Sequence, residues 1–150
     1  MPALLQDVGG REAMVVFGGR TADRTLLNDA WEARLAWPNV SWVPLAPPAG
    51  GPLPAPRKGH TAVVAADGGS GGGGAPRMLV YGGRNESSYM GDVWALDPGT
   101  GAWEEVAQEG AVRPPPRDHH AAAYLDGRMF IFGGSPADQA HAGLLHPALG

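Results

Sequence analysis

One six-residue phrase occurs three times in this 150-residue chain: MVVFGG at 14–19, MLVYGG at 78–83 and MFIFGG at 129–134. Each copy is a methionine, two apolar residues, an aromatic and a glycine pair. A chain that repeats itself folds into repeated units, so the period constrains the architecture before any single residue does. The copies begin 64 and then 51 residues apart. Other landmarks recur in the same order around the phrase. Upstream, PAPRKGHTAVV (54–64) matches PPRDHHAAAY (115–124), aligning Arg57 with Arg117 and His60 with His120. Downstream, NDAWEARL (28–35) matches GDVWALDP (91–98), aligning Asp29 with Asp92 and Trp31 with Trp94. A later tryptophan follows in both units, Trp42 and Trp103. The Arg–His landmark moves by 60 residues where the glycine pair moves by 51, so nine residues are extra in the middle unit. DGGSGGGGAPR (67–77) against DGR (126–128) supplies eight of them.

With 24 glycines and 15 prolines, the chain is rich in turns and poor in helix. Short β-type runs fill the space between turns. In the middle unit HTAVVAAD (60–67), RMLVYGG (77–83), DVWALD (92–97) and AWEEVA (102–107) read as four strands joined in sequence, an antiparallel meander. The proline-rich stretches 44–56 and 114–116 cannot enter a central strand and mark the handover between units.

The order Pro-Arg-x-x-His, strand, Gly-Gly, Asp-x-Trp, Leu-Asp-Pro, Trp resembles the Kelch repeat, in which one repeat builds one propeller blade of four antiparallel strands. The resemblance spans roughly residues 11–134, and the unit 57–107 carries every landmark. It implies an all-β, partial Kelch-type β-propeller of about three blades, only the middle one complete. The expected organisation is a blade lacking its start (11–46), a complete blade (54–107), a partial blade (114–136) and an unmatched tail (137–150). The first unit has no Pro-Arg-x-x-His, and its loop LAWPNVS (35–41) replaces the compact turn DPGTG; the third stops after its glycine pair. Open strand edges and bare blade faces are an aggregation hazard. The expectation is therefore a piece of a longer propeller, whose closure needs further blades.

Each landmark has a structural role. The pairs Gly18-Gly19, Gly82-Gly83 and Gly133-Gly134 suit a tight backbone exit, since no Gly-Lys-Ser/Thr follows to make a phosphate loop. GGSGGGG (68–74) is low-complexity filler in a strand-to-strand loop. Trp31, Trp42, Trp94 and Trp103 recur at fixed places, which points to packing between neighbouring blades. Trp37 has no counterpart and is the better contact residue. Arg57, His60, Arg117 and His120 belong to the repeat, with the histidines bonded to backbone or a neighbouring blade. His119, His141 and His146 show no metal-ligand spacing.

No cysteine is present, which removes thiolate metal sites, a cysteine nucleophile and the cysteine–tyrosine cofactor of the galactose oxidases that share this fold. The Glu-x-x-x-Asp-x-x-x-His iron run of the plant specifier proteins is also missing. No catalytic, cofactor-binding or metal residue is therefore expected, and the segment reads as non-enzymatic. A net charge of −4 gives no basic footprint for nucleic acid or anionic lipid. No apolar run approaches the ~18 residues of a membrane span, and the N-terminus lacks a secretory pattern. The expected home is intracellular, cytoplasmic or nuclear.

The function this implies is protein–protein recognition by a Kelch scaffold. The alternatives are the propeller portion of a multidomain enzyme, such as a Kelch-bearing phosphatase, or of a ubiquitin-ligase substrate adaptor. Loops after each second strand differ between copies: RTADRTLLN (20–28), RNESSYMG (84–91) and SPADQAHAG (135–143). Such loops vary without disturbing strands. Arg20, Arg84, Asn85, Glu86 and Tyr89 are the expected partner-binding residues, with Trp37.

Overall fold

The computed structural model describes residues 3–5, 13–66 and 74–136. All regular structure in them is β, in twelve strands. Among the described residues no helix is long and apolar enough to cross a membrane. The glycine insert and the tail 137–150, with most of the third variable loop, lie almost wholly outside the described residues.

The first sheet is a meander of β1 (Ala3–Leu5), β2 (Ala13–Arg20), β3 (Leu26–Ala36) and β4 (Asn39–Pro44). Its first strand lies upstream of residue 11, where the repeat landmarks begin, so this sheet has four strands. The second sheet is β5 (Thr61–Ala65), β6 (Arg77–Tyr81), β7 (Val93–Leu96) and β8 (Trp103–Glu105), also in chain order and antiparallel. The third unit is the hairpin β10 (Ala121–Leu125) and β11 (Arg128–Phe132). A short ribbon of β9 (Arg117–Asp118) with β12 (Ser135–Pro136) flanks it. Strand β5 lies against both β1 and β10, so the first strands of the three units run side by side.

Register explains how the sheets stack. Residues directly opposite each other in a ladder share a face. Met78 faces Leu96 and Leu96 faces Trp103, while Val80 faces Trp94. These five side chains form one apolar face of the second sheet and are all buried. The first sheet presents the opposite parity of its own repeat phrase, Val15 and Phe17 with Ala30, and the two faces make one core. At its centre the rings of Phe17 and Trp103 lie 4.7 Å apart.

The four repeat tryptophans do not share one fate. Trp94 and Trp103 are buried between sheets, but Trp31 and Trp42 are 38% and 51% exposed. Among the described residues no sheet packs on these two. They occupy the outer face of the first sheet, which no described strand covers. Burial of a repeat residue depends on a neighbouring unit as well as on its own.

Trp94→Ala is expected to lower the unfolding free energy by about 3–5 kcal/mol, the usual result of truncating a large buried aromatic. Trp37→Ala, at a 97% exposed site, should change it by no more than about 0.5 kcal/mol. Urea titrations of the two variants check this, and equal midpoint shifts would place the core elsewhere.

Candidate functional site

An antiparallel meander sends alternate turns to opposite rims. The β2–β3 loop (21–25), the β6–β7 loop (82–92) and the crossings between units gather on one rim. The β3–β4 turn at Trp37-Pro38, the β7–β8 turn (97–102) and the β10–β11 turn share the other. This separates the residues expected to bind partners. Arg20, Arg84, Asn85, Glu86 and Tyr89 stand on the first rim, and Trp37 stands alone on the second.

The first rim is built on an arginine clasp. The Arg57 backbone is seated on the first sheet, its N–H donating to Leu27 O (3.1 Å) and its carbonyl accepting from Gly19 N (2.9 Å). Its buried guanidinium turns to the second sheet, donating twice to the Asp92 carboxylate, at 2.7 Å each, and to Gly82 O at 3.0 Å. Trp94 Nε1 donates to the same carboxylate at 2.6 Å. Burial is the largest single influence on Asp92 and opposes its ionisation, but the Arg57 and Trp94 bonds outweigh it and hold the carboxyl below its ordinary value. The next crossing repeats half of this. Arg117 backbone bonds Met90 O and Gly83 N, and its guanidinium reaches Gly133 O at 2.8 Å. The glycine pair must therefore stay bare. Gly82 and Gly83 have φ of 64° and 89°, and a Cβ on them would lie 2.7 Å from Arg117 O and 2.8 Å from Lys58 O.

On this frame sits a polar network. Arg84 Nε pairs with Asp118 of the third unit at 2.8 Å, and its guanidinium lies 5.9 Å from the Tyr89 ring centroid. Lys58 Nζ pairs with Glu86 at 3.2 Å, and His119 Nδ1 lies 3.0 Å from Asp118. Asn85 shapes the loop from within, its Oδ1 accepting from the N–H groups of Ser87 and Ser88 at 2.8 Å each. The loop 21–25 is likewise self-bonded, with the Thr21 hydroxyl between Asp23 and Thr25. Arg20 has no place in the network. A cleft of about 240 Å³ is lined by Asn28, Asp29, Trp31, Leu45, Leu53 and Trp103. Trp31 Nε1 donates to Asp29 at 2.7 Å, as Trp94 does to Asp92, but no arginine clasps Asp29 among the described residues. No group of three or more His, Asp or Glu side chains among those residues could hold a metal ion.

The sequence model of the KLHDC2/KLHL20/DRC7 Kelch-repeats domain matches residues 8–135. The chain belongs to the Kelch-repeat family. It is 37% identical over 110 residues to human host cell factor 2, an alignment covering 72% of this chain and 13% of that protein. It is 33% identical over 126 residues to acyl-CoA-binding domain-containing protein 4 of Arabidopsis thaliana, covering 82% of this chain and 16% of the relative. The chain thus spans less than a fifth of the length of either. In three dimensions it resembles a chain of the cryo-EM structure of RAG in complex with one melted RSS and one unmelted RSS (TM-score 0.66, 18% identity, 90% of this chain and 42% of that one). It also resembles the structure of YjhT (TM-score 0.59, 19% identity, 94% of this chain and 35% of that one). These two likenesses concern the fold alone.

Within the Kelch frame, reasoning from sequence missed Lys58, Asp118 and His119. A signal was available: they fill the variable positions of Pro-Arg-x-x-His, where PRKGH and PRDHH differ between fixed landmarks. Kelch repeat histidines sit just below the rim. The His60 ring meets the edge of Phe17 at 5.3 Å and the His120 ring meets Tyr81 at 5.2 Å. His120 Nε2 and the Thr61 hydroxyl are 2.6 Å apart. Burial pushes the His60 pKa down to about 3, and burial also lowers that of His120.

Two outcomes follow from this chemistry. Asp92→Asn leaves the Arg57 guanidinium buried beside a neutral partner and should cost about 3 kcal/mol, read from denaturant midpoints. His60 in the unfolded chain binds a proton near its ordinary pKa of about 6.5, whereas the folded chain resists until about pH 3. Stability is then fully present above pH 6.5 and falls as pH drops below it, at up to about 1.4 kcal/mol per pH unit for this one proton. Denaturation across that window should show the slope, and His60→Gln should flatten it.

Proposed function

We propose that the chain is a non-catalytic recognition scaffold that binds another protein through the rim carrying the loops 20–28 and 84–91, as part of a ring larger than its own three units. The observation that carries this reading is the network Lys58–Glu86 and Tyr89–Arg84–Asp118–His119, which lies across two units on a frame of repeated landmarks. Apart from Arg84, which matches Arg20, its members stand where the copies differ, while the residues beneath them are held by packing. Loops fixed in this way offer arginine, tyrosine and paired charge with little left to order on binding. The three units agree with the expectation of a partial propeller divided as 11–46, 54–107 and 114–136, once the first is extended to take in β1 (Ala3–Leu5). An intracellular home, cytoplasmic or nuclear, agrees with the absence of cysteine.

The test is comparative capture of partners from cell extract. Arg84→Ala with Tyr89→Ala is expected to remove them at unchanged fold, whereas Thr100→Arg on the opposite rim should leave them bound. Loss only with Thr100→Arg would assign recognition to the other rim. Turnover of a substrate by the purified chain would end the scaffold reading.

A further inference from the structure

The last strand of the first sheet has an open edge. In the order β1-β2-β3-β4, β4 is terminal, at the end of the sheet away from β1, the strand that lies against β5. Units of this chain meet face to face, as Phe17 meets Trp103, so stacking leaves such an edge unpaired. Register says which groups line it. Leu45 N donates to Ala30 O at 2.9 Å, and ladder bonds alternate from there. Val43, Ser41 and Asn39 therefore bond β3, opposite Glu32, Arg34 and Ala36. Val40 and Trp42 turn their N–H and C=O groups outward, and no described residue bonds them.

This edge lacks the usual protection. Outer strands are kept from pairing with other chains by shortness or by charge. β8, the last strand of the second sheet, has three residues and carries Glu104 and Glu105, both exposed. β4 has six, Asn-Val-Ser-Trp-Val-Pro, with no charged side chain and with Val40, Ser41 and Trp42 exposed. Aromatic and β-branched residues of this kind favour strand pairing. One charge stands nearby. Arg34 shares a face with the small Ser41 directly opposite it, and its side chain is 47% exposed. Glu32 Oε2 accepts from Arg34 Nε at 3.1 Å and Nη2 at 3.0 Å, which leaves Nη1 without a carboxylate.

We propose that the β4 edge takes an extended segment of another protein as a fifth strand, with an acidic residue opposite Ser41 between apolar residues opposite Val40 and Trp42. Main-chain bonds to Val40 and Trp42 hold the segment, and the side chains flanking its acid set the register. β-Branched or aromatic residues opposite Val40 and Trp42 make the cross-strand pairs that stabilise sheets. The acid lies two strand spacings from Arg34, roughly 10 Å, a span that a glutamate and an arginine side chain bridge over Ser41. A second copy of β4 would satisfy the main chain, but two-fold pairing sets Ser41 against Ser41 and offers Arg34 no carboxylate. Charge complementarity therefore selects a foreign segment. The site shares no residue with the rim.

The probe is the capped peptide Thr-Val-Glu-Val-Thr, titrated into the full chain while amide exchange is followed by NMR. Exchange of the Val40 and Trp42 N–H groups is expected to slow on addition. N-methylation of both valines keeps every side chain and should weaken binding about tenfold, as the loss of two main-chain bonds implies. Lysine in place of the central glutamate should weaken it about threefold, and Arg34→Ala should erase that difference while keeping the effect of N-methylation. Val40→Pro removes an outward donor that the ladder does not use and should also weaken binding; the N-methyl comparison stands on the wild type if that variant does not fold. Arg84→Ala with Tyr89→Ala should bind the peptide as the wild type does, which separates this site from the rim. Absence of peptide binding, or equal binding of the N-methylated form, would overturn the proposal. Slowed exchange at Val40 and Trp42 in the chain alone, rising with concentration at twice the single-chain mass, would overturn it too, because a second copy then fills the edge.

Discussion

The stack depends on one arginine between each pair of units. Arg57 belongs to the second unit by sequence, but its backbone is hydrogen-bonded to the first through Gly19 and Leu27. Its side chain then returns to Asp92 and Gly82 O of its own unit. One residue thus holds two sheets at fixed separation at the rim, while Phe17 against Trp103 holds them at mid-height. A buried guanidinium is costly unless every donor direction finds an acceptor. That requirement fixes the neighbours: a carboxylate two residues before a tryptophan, a free carbonyl in the glycine pair, and no Cβ on those glycines. The landmarks of the repeat are the parts of one clasp.

Much of this architecture is legible in the sequence because the clasp is local in register. Asp92 and Trp94 fall at the head of the third strand of their unit, Gly82-Gly83 at the exit of the second, and Arg57 before the first. Each therefore recurs in a constant order, and the strands of the middle unit lie where the alternation and turns put them. Exposure is another matter. Trp31 and Trp94 occupy one repeat position, and both indoles donate to the aspartate two residues earlier. Nothing in their local sequence distinguishes the buried one. The difference comes from which face another sheet covers, a property of stacking order.

The rim was half legible for a related reason. Arg84, Glu86 and Tyr89 stand in a loop whose length and composition mark it as variable. Their partners Lys58 and Asp118 sit between fixed landmarks, in segments that look purely structural. Only the crossing of chain between units brings Asp118 of the third to Arg84 of the second. Trp37 shows the converse. It is exposed and without a counterpart, as a contact residue would be, yet the meander sends its turn to the rim opposite Arg84.

Conformational rigidity and variability are therefore allotted to different atoms of the same short segments. In PRKGH and PRDHH the arginine backbone ties sheets together and the histidine packs on an aromatic, while the residue after the arginine, Lys58 or the buried Asp118, joins the rim network. Changing that residue alters the rim network, through Glu86 for Lys58 and through Arg84 for the buried Asp118, without touching the clasp. The same logic bears on the first and third units. Asp29, with Trp31 in place but no guanidinium beside it among the described residues, has one half of a clasp. Arg117, bonded to Gly133 O and Pro115 O, meets no carboxylate among the described residues. A sheet that closes the stack must satisfy polar groups at the rim as well as apolar area at mid-height, and an apolar surface supplied without the rim contacts would cover the faces less selectively than a unit of this same repeat.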